Sequence, residues 1–170
     1  MIRRIRLSLL GALAAALVSS GCKEQVAERA EYQMGEKVPD GPLTYTVVEK
    51  LWQSQLGEGF QLRVPENRFL MITISATNNS GNEVSVPLLQ LEGSNGTYRE
   101  IENGEGVDNW FGILRTLAPS QTQQGRMLFD VPLGTYRLRL SDGNSAAEKY
   151  TYVQIPLALD EDSAPAPAKQ

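Results

Sequence analysis

The amino-acid sequence predicts an all-β sandwich, and three observations carry that expectation. Apolar and polar residues alternate in segment after segment, most clearly in Phe69 to Asn78, where Leu70, Ile72, Ile74 and Ala76 alternate with Met71, Thr73, Ser75 and Thr77. A period of two with β-branched residues on both faces fits a strand with one buried face, not a helix. Clusters of Gly, Pro, Asn, Asp and Ser separate these segments, as Asn78-Asn79-Ser80-Gly81-Asn82 does after the first. About seven or eight such strands in roughly 115 residues is the pattern of a sandwich.

Residues 1–21 precede that domain and read as a secretory signal. Arg3, Arg4 and Arg6 form a basic start, Leu7 to Val18 an apolar run too short to remain as a membrane span, and Ser19-Ser20-Gly21 a small-residue junction before Cys22. The stretch A-L-V-S-S-G-C resembles the lipobox of bacterial lipoproteins, with Ser19 standing where leucine is usual. The resemblance implies that Cys22 receives a diacylglyceryl group and becomes the first mature residue. The alternatives are an ordinary cleaved signal with an unmodified cysteine, or twin-arginine export through Arg3-Arg4. Cys22 is the single cysteine of the chain, so the domain beyond it holds no disulfide.

Residues 22–42 are polar and read as a tether, with a short helix over Lys23 to Met34 as the other reading. Some twenty flexible residues span about 25 Å. The sandwich is expected over residues 43–157. Pro39-Asp40-Gly41-Pro42 turns the chain into a first strand, where Leu43, Tyr45 and Val47 alternate with Thr44 and Thr46. Phe60, Leu62 and Val64 suggest a second short strand entered through Leu56-Gly57-Glu58-Gly59. After the central strand, Val84-Ser85-Val86 begins another, and Pro87 places it at an edge or a bulge. Thr97 to Ile101 follow a Gly93-to-Gly96 turn. Residues 102–118 lack clean periodicity and read as a short helix or irregular cover. Alternation then returns around Met127, Phe129 and Val131, around Tyr136, Leu138 and Leu140, and from Tyr150 to Leu157. Residues 158–170 are acidic and then Ala/Pro-rich, the composition of a disordered tail.

With these segments in place, the chain resembles the telokin-like, immunoglobulin-type domain family of unknown function found in bacterial lipoproteins and secreted antigens. The resemblance rests on M-G-E-K-V, L-T-Y-T-V, P-E-N-R-F-L-M-I-T-I-S-A-T-N-N-S, the L-x-L pattern ending at Tyr98, and L-A-P-S with G-R-M-L-F-D-V-P. It implies an immunoglobulin-like β-sandwich without an established catalytic site. Gly134-Thr135-Tyr136-Arg137-Leu138 has the shape of a tyrosine corner, the alternative being that Tyr136 is an ordinary inward strand residue.

Composition narrows the function. The chain has no histidine, which excludes Ser-His-Asp and Cys-His catalysis and His-ligated metal sites. Removal of residues 1–21 takes away three arginines and no acids, so a net charge of −4 becomes −7. So acidic a chain without a Lys/Arg cluster is expected to have no nucleic-acid partner. No cofactor, no metal site and no enzymatic activity are expected. The expected function is a lipid-anchored binding or scaffolding module of the cell envelope, at the outer membrane where the source has two membranes. A membrane contact through lipid on Cys22 and a protein partner follow from it. The alternative is a periplasmic hydrolase or a calcium-binding protein, with Glu100, Glu102, Glu105 and Asp108 as acidic ligands. Trp110 and Phe111, in the glycine-rich stretch Asn103 to Leu114, are the candidate partner-binding residues, and the competing reading makes them an aromatic plug for the sandwich.

Overall fold

A computed structural model of the protein describes residues 31–143 and 150–157, and eleven strands lie in that range. In chain order they are β1 Glu31–Tyr32, β2 Val38–Asp40, β3 Leu43–Gln53, β4 Phe69–Asn78, β5 Val84–Ser85 and β6 Gln90–Gly93. β7 Gly96–Arg99, β8 Thr116–Leu117, β9 Thr122–Asp130, β10 Tyr136–Leu140 and β11 Thr151–Ile155 follow. One sheet has the order β2-β3-β4-β9, the other β1-β11-β10-β6-β7, and β5 and β8 form a separate pair. Leu70, Ile72, Ile74 and Phe129 of the first sheet share one buried cluster with Leu91, Leu138, Val153 and Ile155 of the second. This is the expected all-β sandwich, and apolar packing holds it together without disulfides. The signal segment, Cys22 and the tail 158–170 lie outside the described residues.

The central strand is where its alternation predicted, with β3 on one side and β9 on the other. Its second face differs from the expectation. Phe69, Met71 and Leu128 are buried on the outer side of the sheet in a second cluster with Leu56 and Val107, against which Leu51, Ile101 and Trp110 pack. The aperiodic segment that crosses over this face supplies Val107 and Trp110, with Ile101 just before it, so it is irregular cover and not a helix. β3 also departs from simple alternation, because its register against β4 shifts between Val47 and Glu49. Leu43, Tyr45 and Val47 are buried before the bulge, Lys50 and Trp52 after it, since one extra residue reverses the phase.

Two expectations are corrected. Residues 31–42, read as part of the tether, contain β1 and β2: β1 pairs in parallel with β11, and β2 pairs with Leu43 to Tyr45. Tyr32, Met34 and the fully buried Val38 dock the segment on the core, a spacing too sparse to reveal itself as periodicity. Phe60, Leu62 and Val64 do not form a strand. Gly59–Gln61 is a 3-10 turn, tied at its base by the Leu56 and Arg63 bridge, and among the described residues no neighbouring strand covers the turn.

Two turns hold the ends in register. At one end Asn78 is fully buried and satisfied, its Nδ2 donating to Asn82 O at 2.7 Å and Leu117 O at 3.0 Å, while its Oδ1 accepts from Ser80 N at 2.9 Å. At the other, the Tyr136 hydroxyl donates to Pro132 O at 2.6 Å, the backward bond of a tyrosine corner. Burial pushes this phenol up to about 12. Its ring meets Tyr98 edge-on at 5.7 Å and Trp52 at 6.3 Å.

Candidate functional site

The aromatic pair singled out by the sequence sits beside β9 as a strand-like strip. Phe111 N donates to Arg126 O at 2.9 Å and Arg126 N donates to Asn109 O at 2.8 Å. Successive side chains on such a strip point to opposite faces. Phe111 therefore enters the main core, where it is 3% exposed, and Trp110 packs half-buried on the outer cluster. Glycine at two positions permits this approach. A Cβ on Gly125 would stand 2.5 Å from the Phe111 ring, and one on Gly104 would collide with the Trp110 indole. The Trp110 Nε1 is buried without a hydrogen-bond partner among the described residues, so the polar handle a binding tryptophan offers is turned inward. Both rings are packed into the domain as the plug reading requires.

Behind Phe111 lies a charged pair. Arg115 and Glu100 have fully buried side chains and join through Arg115 Nη2 and Glu100 Oε1. The Arg115 guanidinium stacks 4.8 Å above the Phe111 ring, its Nε donates to Gly112 O, and Glu100 Oε2 accepts from Leu89 N at 3.3 Å. Burial raises the Glu100 carboxyl above its ordinary range, and the hydrogen bond and charge of Arg115 oppose that rise. Glu100 is thus committed to structure. Glu102, Glu105 and Asp108 do not join it, and among the described residues no three His, Cys, Asp or Glu side chains converge on a metal-sized site.

One exposed apolar surface lies at the Tyr136 end. Arg63 anchors the 3-10 turn by donating to Asn103 O at 3.1 Å and to Glu105 O, and its guanidinium lies 5.6 Å from the Phe69 ring. Beyond that anchor Phe60 is fully exposed, Val64 is 70% exposed and Leu62 44%. A cleft of about 850 Å³ opens beside the turn, lined by Leu51, Gln53, Gln55, Leu56, Glu58 and Arg68 among others. The alternation of Phe60, Leu62 and Val64 suggested a second short strand. The two glycines that flank Glu58, both at positive φ (Gly57 72°, Gly59 56°), were the signal of a projecting turn.

Residues 32–152 match the domain of unknown function DUF4352. The chain belongs to this family. The match begins in β1 and ends in β11, so the DUF4352 domain and the sandwich coincide. The family agrees with the resemblance read from sequence in its coarser form, an uncharacterised β-sandwich domain. Among solved structures, the yjhA protein from Bacillus subtilis is similar with a TM-score of 0.56 and 18% identity, over 73% of this chain and 98% of that one. The secreted protein MPT63 from Mycobacterium tuberculosis is similar with a TM-score of 0.52 and 16% identity, over 76% of this chain and 98% of its own. A candidate lipoprotein, ycdA of Bacillus subtilis, has a TM-score of 0.56 and 10% identity, over 71% of this chain and 38% of that one. At these identities the likeness shows the fold alone. No curated protein matches the chain significantly.

Proposed function

We propose that this DUF4352 protein is a lipid-anchored, non-enzymatic binding module of the bacterial cell envelope, attached through Cys22 and presenting its Tyr136 end to a protein partner. One observation supports the reading: the chain enters the sandwich at one end and exposes an apolar turn at the other. β1 runs parallel to β11 from Glu31 beside Tyr152, at the end where Thr151 Oγ1 donates to Asp40 at 3.4 Å. Phe60, Leu62 and Val64 project from the other end, beyond Gln53 and Phe69. Eight residues lie between Cys22 and Glu31, a reach of at most about 30 Å. Lipid on Cys22 would hold the Asp40 end near the bilayer and leave the apolar turn facing away from it. Among the described residues no helix is long and apolar enough to cross a membrane, and diacyl modification supplies stable attachment where a single chain would be marginal. The basic start, apolar run and Gly21-Cys22 junction support the anchor, and Lys23 after the cysteine favours the outer membrane where two are present.

The experiment has two arms. Cys22→Ser is expected to abolish radiolabelled acyl incorporation and leave an unprocessed precursor; labelling of that variant would refute the anchor. Phe60→Ser is expected to leave melting unchanged and to abolish cross-linking of a photoreactive residue at position 62 to its partner in cells. Undiminished cross-linking would refute the working end.

A further inference from the structure

The outer face of the β1-β11-β10-β6-β7 sheet carries a row of long, planar side chains in register. Arg137 and Arg139 of β10 turn outward between the inward Tyr136, Leu138 and Leu140. Gln154 and Tyr152 stand beside them on β11, Glu92 and Gln90 on β6. One network ties the row together. The Glu92 carboxylate accepts from Arg137 Nη2 at 3.2 Å, from Arg139 Nη1 at 3.5 Å and from the Tyr152 hydroxyl at 3.2 Å. The Arg137 guanidinium lies 4.6 Å from the centre of the Tyr152 ring, and that of Arg139 lies 4.4 Å from the Tyr150 ring. Gln154 Nε2 donates to Glu31 Oε1 at 2.6 Å. Ion pairs on a solvated face add little to stability, and each long side chain held in one rotamer loses entropy. What such a network secures is orientation, which lowers the cost of recognising a ligand.

At the Tyr136 end the row runs into a cleft of about 460 Å³, inside the range of about 300 to 1,000 Å³ usual for ligand sites. Arg137, Glu92 and Gln154 line it together with the hydroxyl residues Ser94, Thr97 and Thr135. Two features of this lining select a ligand. Among the described residues its charged groups are Glu92 and Arg137, which cancel, so a phosphate or carboxylate gains no net attraction and meets repulsion from Glu92. The pair also sets an acceptor beside a fork of donors. A vicinal diol is the complement of that arrangement, since one hydroxyl donates to the carboxylate while its neighbour accepts from the guanidinium. We infer that this cleft binds a neutral glycan chain, with the Arg137 and Glu92 pair gripping a vicinal diol of one sugar. Beyond the cleft the row leads along β11 to Tyr150, about 13 Å from Gln154 and 43% exposed, where the C–H face of a further sugar packs on the ring. The site goes beyond the protein-binding reading and is independent of it, because it shares no residue with the Phe60 turn.

The test titrates the full chain, extracted in a detergent without a sugar headgroup, with chitotetraose, cellotetraose, maltotetraose and mannotetraose, and follows backbone amide shifts by NMR. At least one of these tetrasaccharides is expected to shift the amides of Glu92 to Thr97 and of Thr135 to Arg137 saturably. Two variants check the place and the grip: Thr97→Trp fills the cleft from an exposed strand position, and Arg137→Ala removes the donor fork. Each is expected to weaken binding about tenfold with melting unchanged, the factor that a lost hydrogen bond to a charged group gives. Undiminished affinity in both variants would overturn the site. So would the absence of saturable shifts with every tetrasaccharide, or saturable shifts of the same amides by inorganic phosphate in their place. Glucose or N-acetylglucosamine binding as tightly as the tetrasaccharides would overturn the chain along the row and make a free sugar the ligand.

Discussion

Phe111→Ala is the substitution that most directly separates an aromatic plug from a recognition loop. The ring is buried in the main core, seated against Gly125 and under the Arg115 guanidinium at 4.8 Å. Truncating a buried phenylalanine costs about 3 to 5 kcal/mol in transfer and cavity terms. The site is expected near the upper end, because the strip is held rigidly by two backbone bonds to Arg126 and cannot collapse into the space. The truncation also removes the face on which a desolvated arginine rests. For a domain of this size, a loss of about 4 kcal/mol lowers the melting temperature by about 15 °C. Trp110→Ala, on a half-buried ring in the outer cluster, is expected to cost about 2 kcal/mol. Urea unfolding of the detergent-extracted chain, followed by tryptophan fluorescence and circular dichroism, measures both. A Phe111→Ala loss below about 1 kcal/mol would refute the packing argument, because substitutions of that size belong to surface positions.

Other expectations follow from the same geometry. Glu100→Gln leaves Arg115 buried with a neutral neighbour and is expected to cost about 3 kcal/mol, whereas Glu100→Met with Arg115→Met recovers most of that loss; equal losses in single and double variants on denaturant titration would refute the coupling. Tyr136→Phe removes the bond to Pro132 O and is expected to cost about 1 to 1.5 kcal/mol with the fold unchanged, and a thermal melt identical to that of the parent chain would count against the corner. Asp40 is raised by burial and next by Asp142, so the folded chain holds its proton to higher pH than the unfolded chain. Stability is therefore lost as pH rises from the ordinary carboxylate range through the folded value of Asp40. Asp142→Asn should lower the Asp40 titration midpoint in carboxyl-detected NMR and flatten this dependence; an unchanged midpoint would show that burial acts alone.

Some of this was legible in the residues because it depends on neighbours in the chain. Alternation placed β4, β9, β10 and β11, the Asn78 to Asn82 cluster placed a turn, and Gly134 to Leu138 carried the pattern of the corner that Tyr136 forms with Pro132. Each of these rests on a periodicity or a bond spanning a few residues. The candidate site was less legible. Trp110 and Phe111 could be singled out as aromatics in a glycine-rich stretch, but only their seat beside Arg126 decides that one ring enters the core and the other the outer face. Glu100 and Arg115 are fifteen residues apart, and nothing local distinguishes them from surface charges. The same holds for Met71, buried by a segment more than thirty residues away, and for Phe60, which has the alternation of a strand but no sheet to join. By itself the sequence determined the long alternating strands, the turn after β4, and that no histidine takes part and no disulfide forms in the domain. Tertiary structure alone decided which faces are covered, because cover is made by residues distant in the chain, and no local pattern records its arrival.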